Sequence, residues 1–139
     1  MYLLDTNVLS EMRRIAIGRG DRSVEAWART VKTEDLFLST ISIEELEIGV
    51  LLVERRDPSQ GKLLRAWLDG YVLPTFRERV LPVDIGIALC SAKFHVPDPH
   101  PIRDGLIAAT ALLRGMTVIT RNTTHFVSTG VPVFNPWER

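Results

Sequence analysis

The alternation of short apolar runs with longer amphipathic segments constrains the fold of this chain more than any other feature. The apolar runs cover residues 2–4, 36–38, 80–83, 116–120 and 131–134. Strands separated by helices pair in parallel, because each helix returns the chain to the edge at which the previous strand began. The pattern therefore predicts an α/β domain, in which helices flank a central parallel β-sheet of four to five strands as an α/β/α sandwich.

The segments between these runs carry helical periodicity and recognisable ends. Val24, Trp27, Ala28 and Val31 follow the i, i+3, i+4, i+7 spacing of an amphipathic helix over residues 21–32. Further helices are predicted over 8–14, from Ser42 to about residue 56, from residue 58, over 85–94 and over 102–113. We expect Asp84 to cap the helix over 85–94 and Gly115 to end the helix over 102–113.

Composition narrows the class of protein. The 139 residues fit a single domain spanning 1–139. The one cysteine excludes a disulfide framework and a four-cysteine zinc site, which favours the cytosol. Lys and Arg number 17, as do Asp and Glu, so the chain is not a bulk polycation that coats nucleic acid. No apolar run approaches the roughly 20 residues that cross a bilayer, and Asp5 interrupts the first apolar stretch, which argues against a signal peptide.

Three acids stand where a parallel sheet places its functional crevice, outside the carboxyl ends of the strands. Each has an ordinary structural explanation. Asp5 is a possible N-cap, Glu45 follows Ser42 at the spacing of a capping box, and Asp104 falls in a first helical turn, where the macrodipole favours an acid. Taken singly, none of these acids requires a function.

Taken together, Asp5, Glu45 and Asp104 indicate a metal site. If the first two strands are adjacent, and the helix over 102–113 crosses over in the usual right-handed way, the three carboxylates converge at one edge. Clustered carboxylates repel, so they must take up a proton or share a cation. Oxygen ligands without Cys or His at metal spacing favour Mg²⁺, with Mn²⁺ as an alternative, over zinc.

At these residues the chain resembles the PIN-domain family, in particular the FitB-like branch of VapC toxins. Four motifs in the family's order carry the resemblance: Leu-Leu-Asp-Thr-Asn at 3–7, Ser-Thr-Ile-Ser-Ile-Glu-Glu-Leu at 39–46, Asp-Gly-Leu-Ile-Ala-Ala at 104–109 and Thr-Val-Ile-Thr-Arg-Asn at 117–122. The tail at 131–137 is similar to the ending of that branch. Each motif alone is weak, but the four in order span nearly the whole chain.

The resemblance implies a ribonuclease toxin of a type II toxin–antitoxin pair. In that reading Asp5, Glu45 and Asp104 are the acidic metal ligands, Asn122 is the fourth catalytic position, and metal-bound water is activated for attack on a phosphodiester. We expect the flanking residues Thr6, Asn7, Thr120 and Arg121 to contact RNA. The family further implies a homodimer, silenced by a VapB-type antitoxin that also supplies the affinity for operator DNA.

Two positions depart from the pattern. Many PIN domains carry a fourth acid where this chain has Asn122, which offers a carbonyl oxygen but cannot act as a base. Members with this Asn often carry an acid just before the next Phe, whereas His125 precedes Phe126 here. We therefore expect one tightly held Mg²⁺, with a second arriving alongside RNA phosphate.

Two other classes of protein remain as alternatives. A PIN module with a decayed site would act only as a binding partner, and a metal-dependent nuclease assay separates it from an enzyme. A phosphoryl-accepting α/β domain also places an aspartate after its first strand. Such a domain needs a further acid beside that aspartate or two residues after it, where this chain has Thr6 and Asn7.

Overall fold

Five parallel strands form the centre of the computed structural model, which describes residues 1–138. The strands are β1 (Tyr2–Leu4), β2 (Leu36–Ser39), β3 (Val80–Leu81), β4 (Thr117–Ile119) and β5 (Val133–Phe134). Their order is β3-β2-β1-β4-β5, so β1 lies in the middle with β2 and β4 on either side. The predicted parallel α/β fold is confirmed. Arg139, the last residue of the predicted domain, lies outside the described residues.

Helices connect the strands and cover both faces of the sheet. They are α1 (Thr6–Ala16), α2 (Arg22–Ala28), α3 (Thr40–Arg56), α4 (Pro58–Trp67), α5 (Leu73–Phe76), α6 (Ile85–Ala92) and α7 (Ile102–Arg114). A π-helical turn over Leu68–Val72 joins α4 to α5. Within the described residues, no helix is both long and apolar enough to cross a membrane.

Two apolar cores lie on opposite faces of the sheet, because successive residues of a strand point to opposite faces. Leu4 belongs to the core beneath α1 and α3, whereas its neighbour Leu3 packs with Ile107 of α7. Both leucines are fully buried. Partly buried tryptophans complete the first core: Trp27, Trp67 and Trp137.

The start of α3 corrects one sequence-based interpretation. The helix begins at Thr40, and Ser39 is its N-cap, with the Ser39 hydroxyl accepting a hydrogen bond of 3.0 Å from the N–H of Ile41. Ser42 therefore lies inside the helix, and the capping box between Ser42 and Glu45 is wrong. The reason is that β2 runs on to Ser39, which puts an equally good cap three residues earlier, at the point where the strand ends. Glu45 is left without a capping role.

Other helix ends follow the prediction or depart from it for local reasons. Asp84 caps α6 and Gly115 ends α7 in the left-handed conformation, as predicted. The helix predicted over 21–32 stops at Ala28 instead. There the hydroxyl of Thr30 donates to the carbonyl oxygen of Trp27 at 2.7 Å, and the N–H of Thr30 donates to that same oxygen. These local hydrogen bonds occupy the carbonyl oxygen of Trp27, which in a longer helix would accept the N–H four residues later.

Candidate active site

Asp5 lies at the centre of the sheet's carboxyl edge, directly after β1. It is only 5% exposed. Its Oδ1 accepts a hydrogen bond of 2.8 Å from the N–H of Thr6, so it is also the N-cap of α1. Its Oδ2 accepts a hydrogen bond of 2.8 Å from the hydroxyl of Thr120, which follows β4. The capping role and the central position therefore belong to one residue.

The surroundings of Asp5 oppose its charge. Burial raises the pKa of its carboxyl above the ordinary value of 3.8, and the charges of Asp104 and Glu45 raise it further. The hydrogen bonds from Thr120 and Thr6 act in the opposite direction but do not cancel the rise. A buried acid beside two other acids is a costly arrangement in the absence of a cation. Such an arrangement is typical of functional sites.

Glu45 lies in α3 and is partly buried. The hydroxyl of Thr6 donates a hydrogen bond of 2.6 Å to Oε1 of Glu45, across 39 residues of sequence. Thr6 is thus a bridge: its N–H binds Asp5 and its hydroxyl binds Glu45. Thr6 therefore links the two acids that we expected to lie at the same edge.

Asp104 lies in the first turn of α7, and its side chain is 19% exposed. The Nδ1 atom of His125 lies 2.9 Å from Oδ2 of Asp104. His125 is held in turn, because Nε2 of His100 lies 2.9 Å from the carbonyl oxygen of His125. From the sequence, we noted His125 only as a departure from the family pattern before Phe126 and did not predict this contact. The available signal was its place shortly after β4, at the functional edge.

The remaining predicted site residues surround the acids in different ways. Thr120 is fully buried, so it offers no surface to RNA, and the predicted RNA contact is replaced by its bond to Asp5. Asn122 is exposed, and its N–H donates to the Thr120 hydroxyl oxygen at 3.0 Å. Asn7 lies between Asp5 and Arg121, with its Oδ1 accepting from the N–H of Arg121 at 3.3 Å.

The donor set of this edge fits a hard divalent cation. The charges of Glu45 and Asp104 act on Asp5 there, and within the described residues Oε2 of Glu45 and Oδ1 of Asp104 have no hydrogen-bond donor. Over the same part of the chain, no group of three or more His, Cys, Asp or Glu side chains is placed so that it could hold a metal ion without moving. The fit of Asp5, Glu45 and Asp104 to Mg²⁺ therefore rests on their chemistry, because Mg²⁺ prefers oxygen ligands and keeps several of its waters.

The family model of the PIN domain matches residues 2–130. This chain belongs to the PIN-domain family. The match takes in β1 to β4 and spans the positions of Asp5, Glu45 and Asp104.

Individual relatives cover the PIN domain from end to end. Toxin FitB of Neisseria gonorrhoeae is 38% identical over 142 residues, and VapC ribonuclease Y4jK of Sinorhizobium fredii is 36% identical over 146 residues. Each alignment covers 99% of this chain and 99% of the relative. The crystal structure of FitAcB from Neisseria gonorrhoeae contains a chain that superimposes with a TM-score of 0.89 at 37% identity, with both chains covered completely. The chain is thus a PIN-domain homologue of the FitB and VapC toxins.

Proposed function

We propose that this PIN domain is a Mg²⁺-dependent endoribonuclease that hydrolyses RNA phosphodiester bonds as the toxin of a VapBC-like toxin–antitoxin pair. The observation that carries the proposal is the buried carboxyl of Asp5, whose pKa is raised by burial and by the nearby charges of Asp104 and Glu45. A fold that keeps three acids at one edge, against their repulsion, fits a site that binds a cation during its work.

Asp5, Glu45 and Asp104 would hold the Mg²⁺, and Mn²⁺ would fit the same oxygen ligands. When bound, the cation lowers the pKa of a coordinated water and neutralises charge on the phosphate. The neighbours of the acids orient them: Thr120 fixes Asp5, Thr6 fixes Glu45 and His125 fixes Asp104. Asn122, exposed after β4, offers an amide to a water or to the substrate.

The charge balance of the chain suits an RNA substrate once the site is loaded. The chain has 17 basic and 17 acidic groups, so one bound Mg²⁺ gives it a net charge of +2. A positive balance favours RNA binding, because phosphate contacts supply most of the affinity of a non-specific complex. The solvent-exposed Arg103, next to Asp104, adds to the surplus at the edge, although Glu44 lies 3.5 Å from it.

We also propose a VapB-type antitoxin as the protein partner, a homodimer as the working form, and the cytoplasm as the location. The support for the antitoxin is similarity: one solved structure is of FitAB bound to an IR36 DNA fragment, and its matching chain has a TM-score of 0.89 at 36% identity. In this proposal operator DNA is bound only through the antitoxin.

The deciding experiment is cleavage of a pool of transfer and structured RNAs by purified protein, with Mg²⁺, with Mn²⁺ and with EDTA. Asp5→Asn is expected to abolish cutting. Asp84→Asn is the matched control, because Asp84 is also an N-cap but is not among the charges that act on Asp5. Asn caps as well as Asp does, so both variants are expected to fold. Mg²⁺ binding without any cutting would favour the decayed binding module instead.

A further inference from the structure

A polar pocket of about 320 Å³ lies beside the acidic edge, between α1, the start of α2 and the end of the chain. We call it the arginine pocket. The residues of the pocket that matter here are Glu11, Arg14, Arg19, Asp21, Arg121 and Trp137. Three guanidinium groups therefore share one cavity with two carboxylates. The kind of ligand that fits depends on which of these five groups still have free hydrogen-bond donors or acceptors.

Both carboxylates are already used within the protein. Oε2 of Glu11 accepts a hydrogen bond of 2.7 Å from the N–H of Asp21, and the Glu11 side chain is only 12% exposed. Oδ1 of Asp21 caps α2 by accepting from the N–H groups of Ser23 and Val24 at 2.8 and 3.0 Å. The acids thus fix the turn between α1 and α2, and their two negative charges leave the three arginines in excess by one positive charge.

The guanidinium groups, in contrast, face outward with most of their donors uncommitted. The side chain of Arg14 is 61% exposed; its Nη2 donates to the carbonyl oxygen of Arg19 at 3.2 Å, and its Nε lies 3.8 Å from Glu11. Arg19 and Arg121 are also exposed. Since an arginine carries five N–H donors, the pocket has more donors than the protein uses, which is the requirement of an anion site.

Trp137 gives Arg121 a defined orientation. The guanidinium carbon of Arg121 lies 5.3 Å from the centre of the Trp137 ring, within the range of a cation–π contact. Trp137 is itself held in place, because its ring packs against the core and its backbone N–H donates to Oδ1 of Asn135 at 2.9 Å. When the flat face of a guanidinium group lies on an aromatic ring, the N–H groups around its edge remain available for two parallel hydrogen bonds to one phosphate.

The pocket is continuous with the acidic edge through short links. Arg121 directly follows Thr120, which holds Asp5. The N–H of Arg121 donates to Oδ1 of Asn7, whose Nδ2 lies 3.5 Å from Oδ2 of Asp5. Of the arginines in the pocket, Arg121 is therefore the one that these bonds link to Asp5.

We propose that the arginine pocket binds a backbone phosphate of the RNA strand adjacent to the bond that is cut, with Trp137 as a positioning residue for Arg121. This inference rests on the proposed ribonuclease function only in treating the acidic edge as the place of cutting. Phosphate contacts do not depend on base sequence, so the pocket can be tested with any RNA.

The test measures binding of a fluorescent transfer RNA pool to the Asp5→Asn protein, which does not cut, over a series of salt concentrations. Adding Arg121→Ala is expected to weaken binding several-fold and to reduce the slope of log K against log salt by about 0.7–1, the loss of one phosphate contact. Arg14→Ala is expected to act in the same direction. Arg114→Ala, the same change at the far end of α7, is the control. Equal effects of Arg121→Ala and Arg114→Ala would overturn the proposal.

Two further experiments distinguish phosphate binding in the pocket from non-specific attraction of negative charge and from a purely structural role of Trp137. Trp137→Leu is expected to weaken RNA binding while Trp137→Phe retains most of it, and thermal unfolding shows whether either change acts merely through stability. Polyglutamate competing as well as RNA, charge for charge, would instead indicate an acidic protein segment as the ligand and overturn the phosphate assignment. If the native protein cuts no RNA although RNA binding still depends on Arg121, the result contradicts the ribonuclease function and not the pocket.

Discussion

The hydroxyl of Thr120 donates a hydrogen bond of 2.8 Å to Oδ2 of Asp5, across 115 residues of sequence. This bond joins the carboxyl ends of β1 and β4, the two strands that pair at the centre of the sheet. The same hydroxyl oxygen accepts the N–H of Asn122 at 3.0 Å, so one threonine fixes both the central acid and the loop that follows β4.

Thr120→Val tests this relationship with a substitution of nearly the same shape. Asp5 loses a donor in a buried place and the N–H of Asn122 loses its acceptor, so we expect a loss of about 1–3 kcal/mol in unfolding free energy. Loss of such a supporting contact is expected to lower RNA cleavage about 10–100-fold. Urea unfolding and cleavage rates are the two measurements.

The matched control is Thr110→Val, the same change at another fully buried threonine. The Thr110 hydroxyl donates to the carbonyl oxygen of Leu106 inside α7, away from Asp5. We expect a smaller loss of stability and unchanged cleavage. Equal cleavage by both variants would show that the Thr120 bond has no part in activity.

His125 is expected to position Asp104 through the 2.9 Å contact between them. His125→Ala should lower cleavage about 10–100-fold and weaken the thermal stabilisation that added Mg²⁺ provides. His125→Asn places an amide N–H near the position of Nδ1 and should restore part of both. If added Mg²⁺ raises the melting temperature equally in the native protein and both variants, His125 has no part in Mg²⁺ binding.

The sequence predicted the sheet well because its signals are local. Short apolar runs bounded by polar residues marked all five strands, although the observed strands are shorter than the runs at β3, β4 and β5. The positions of Asp5, Glu45 and Asp104 followed from the rule that parallel strands end at one edge. The prediction therefore needed topology but no side-chain detail.

The contacts that hold the acids could not be predicted from the sequence, because they join segments that lie far apart in it. Thr6 reaches Glu45 across 39 residues, and His125 reaches Asp104 across 21. Nothing in local propensity distinguishes the Thr6 hydroxyl from that of any other threonine in a first helical turn. The misplaced start of α3 has a similar origin: Ser39 and Ser42 are equally good caps by residue type, and only the length of β2 decides between them.

Two glycines on the packed pair α3 and α4 are expected to respond to the same substitution with opposite signs. A Cβ at Gly49, within α3, meets no atom within 4 Å, so Gly49→Ala should stabilise the protein by about 0.5–1 kcal/mol. A Cβ at Gly61, in α4, would collide with the backbone of Glu54, lying 2.8 Å from its nitrogen. Gly61→Ala should destabilise by about 1–3 kcal/mol through overpacking.

Chemical unfolding of both variants in urea measures the two changes. The slope of free energy against urea is expected to stay constant, so that the shift in midpoint reports stability alone. Stabilisation by Gly61→Ala would mean that α3 and α4 separate more easily than their contact implies. Arg65, which binds Glu47 at 2.7 Å and Glu54 at 3.2 Å across the same pair of helices, argues against such freedom.

The charge of Asp5 is expected to make the metal-free protein less stable at neutral pH. Because the pKa of its carboxyl is higher in the folded than in the unfolded protein, the folded state binds the proton more tightly. The stabilisation from that proton is complete below the unfolded value of 3.8 and is lost as the pH rises through the folded pKa. Asp5→Asn lacks this titration.

We therefore expect Asp5→Asn to be more stable than the native protein in EDTA at neutral pH, and the difference to shrink as the pH falls towards 3.8. Mg²⁺ should stabilise the native protein and leave the variant nearly unchanged, because a cation offsets the charges that burial opposes. Thermal unfolding at a series of pH values, with and without Mg²⁺, measures both effects. A stability difference that is independent of pH would locate the cost of Asp5 in packing or capping rather than in its charge.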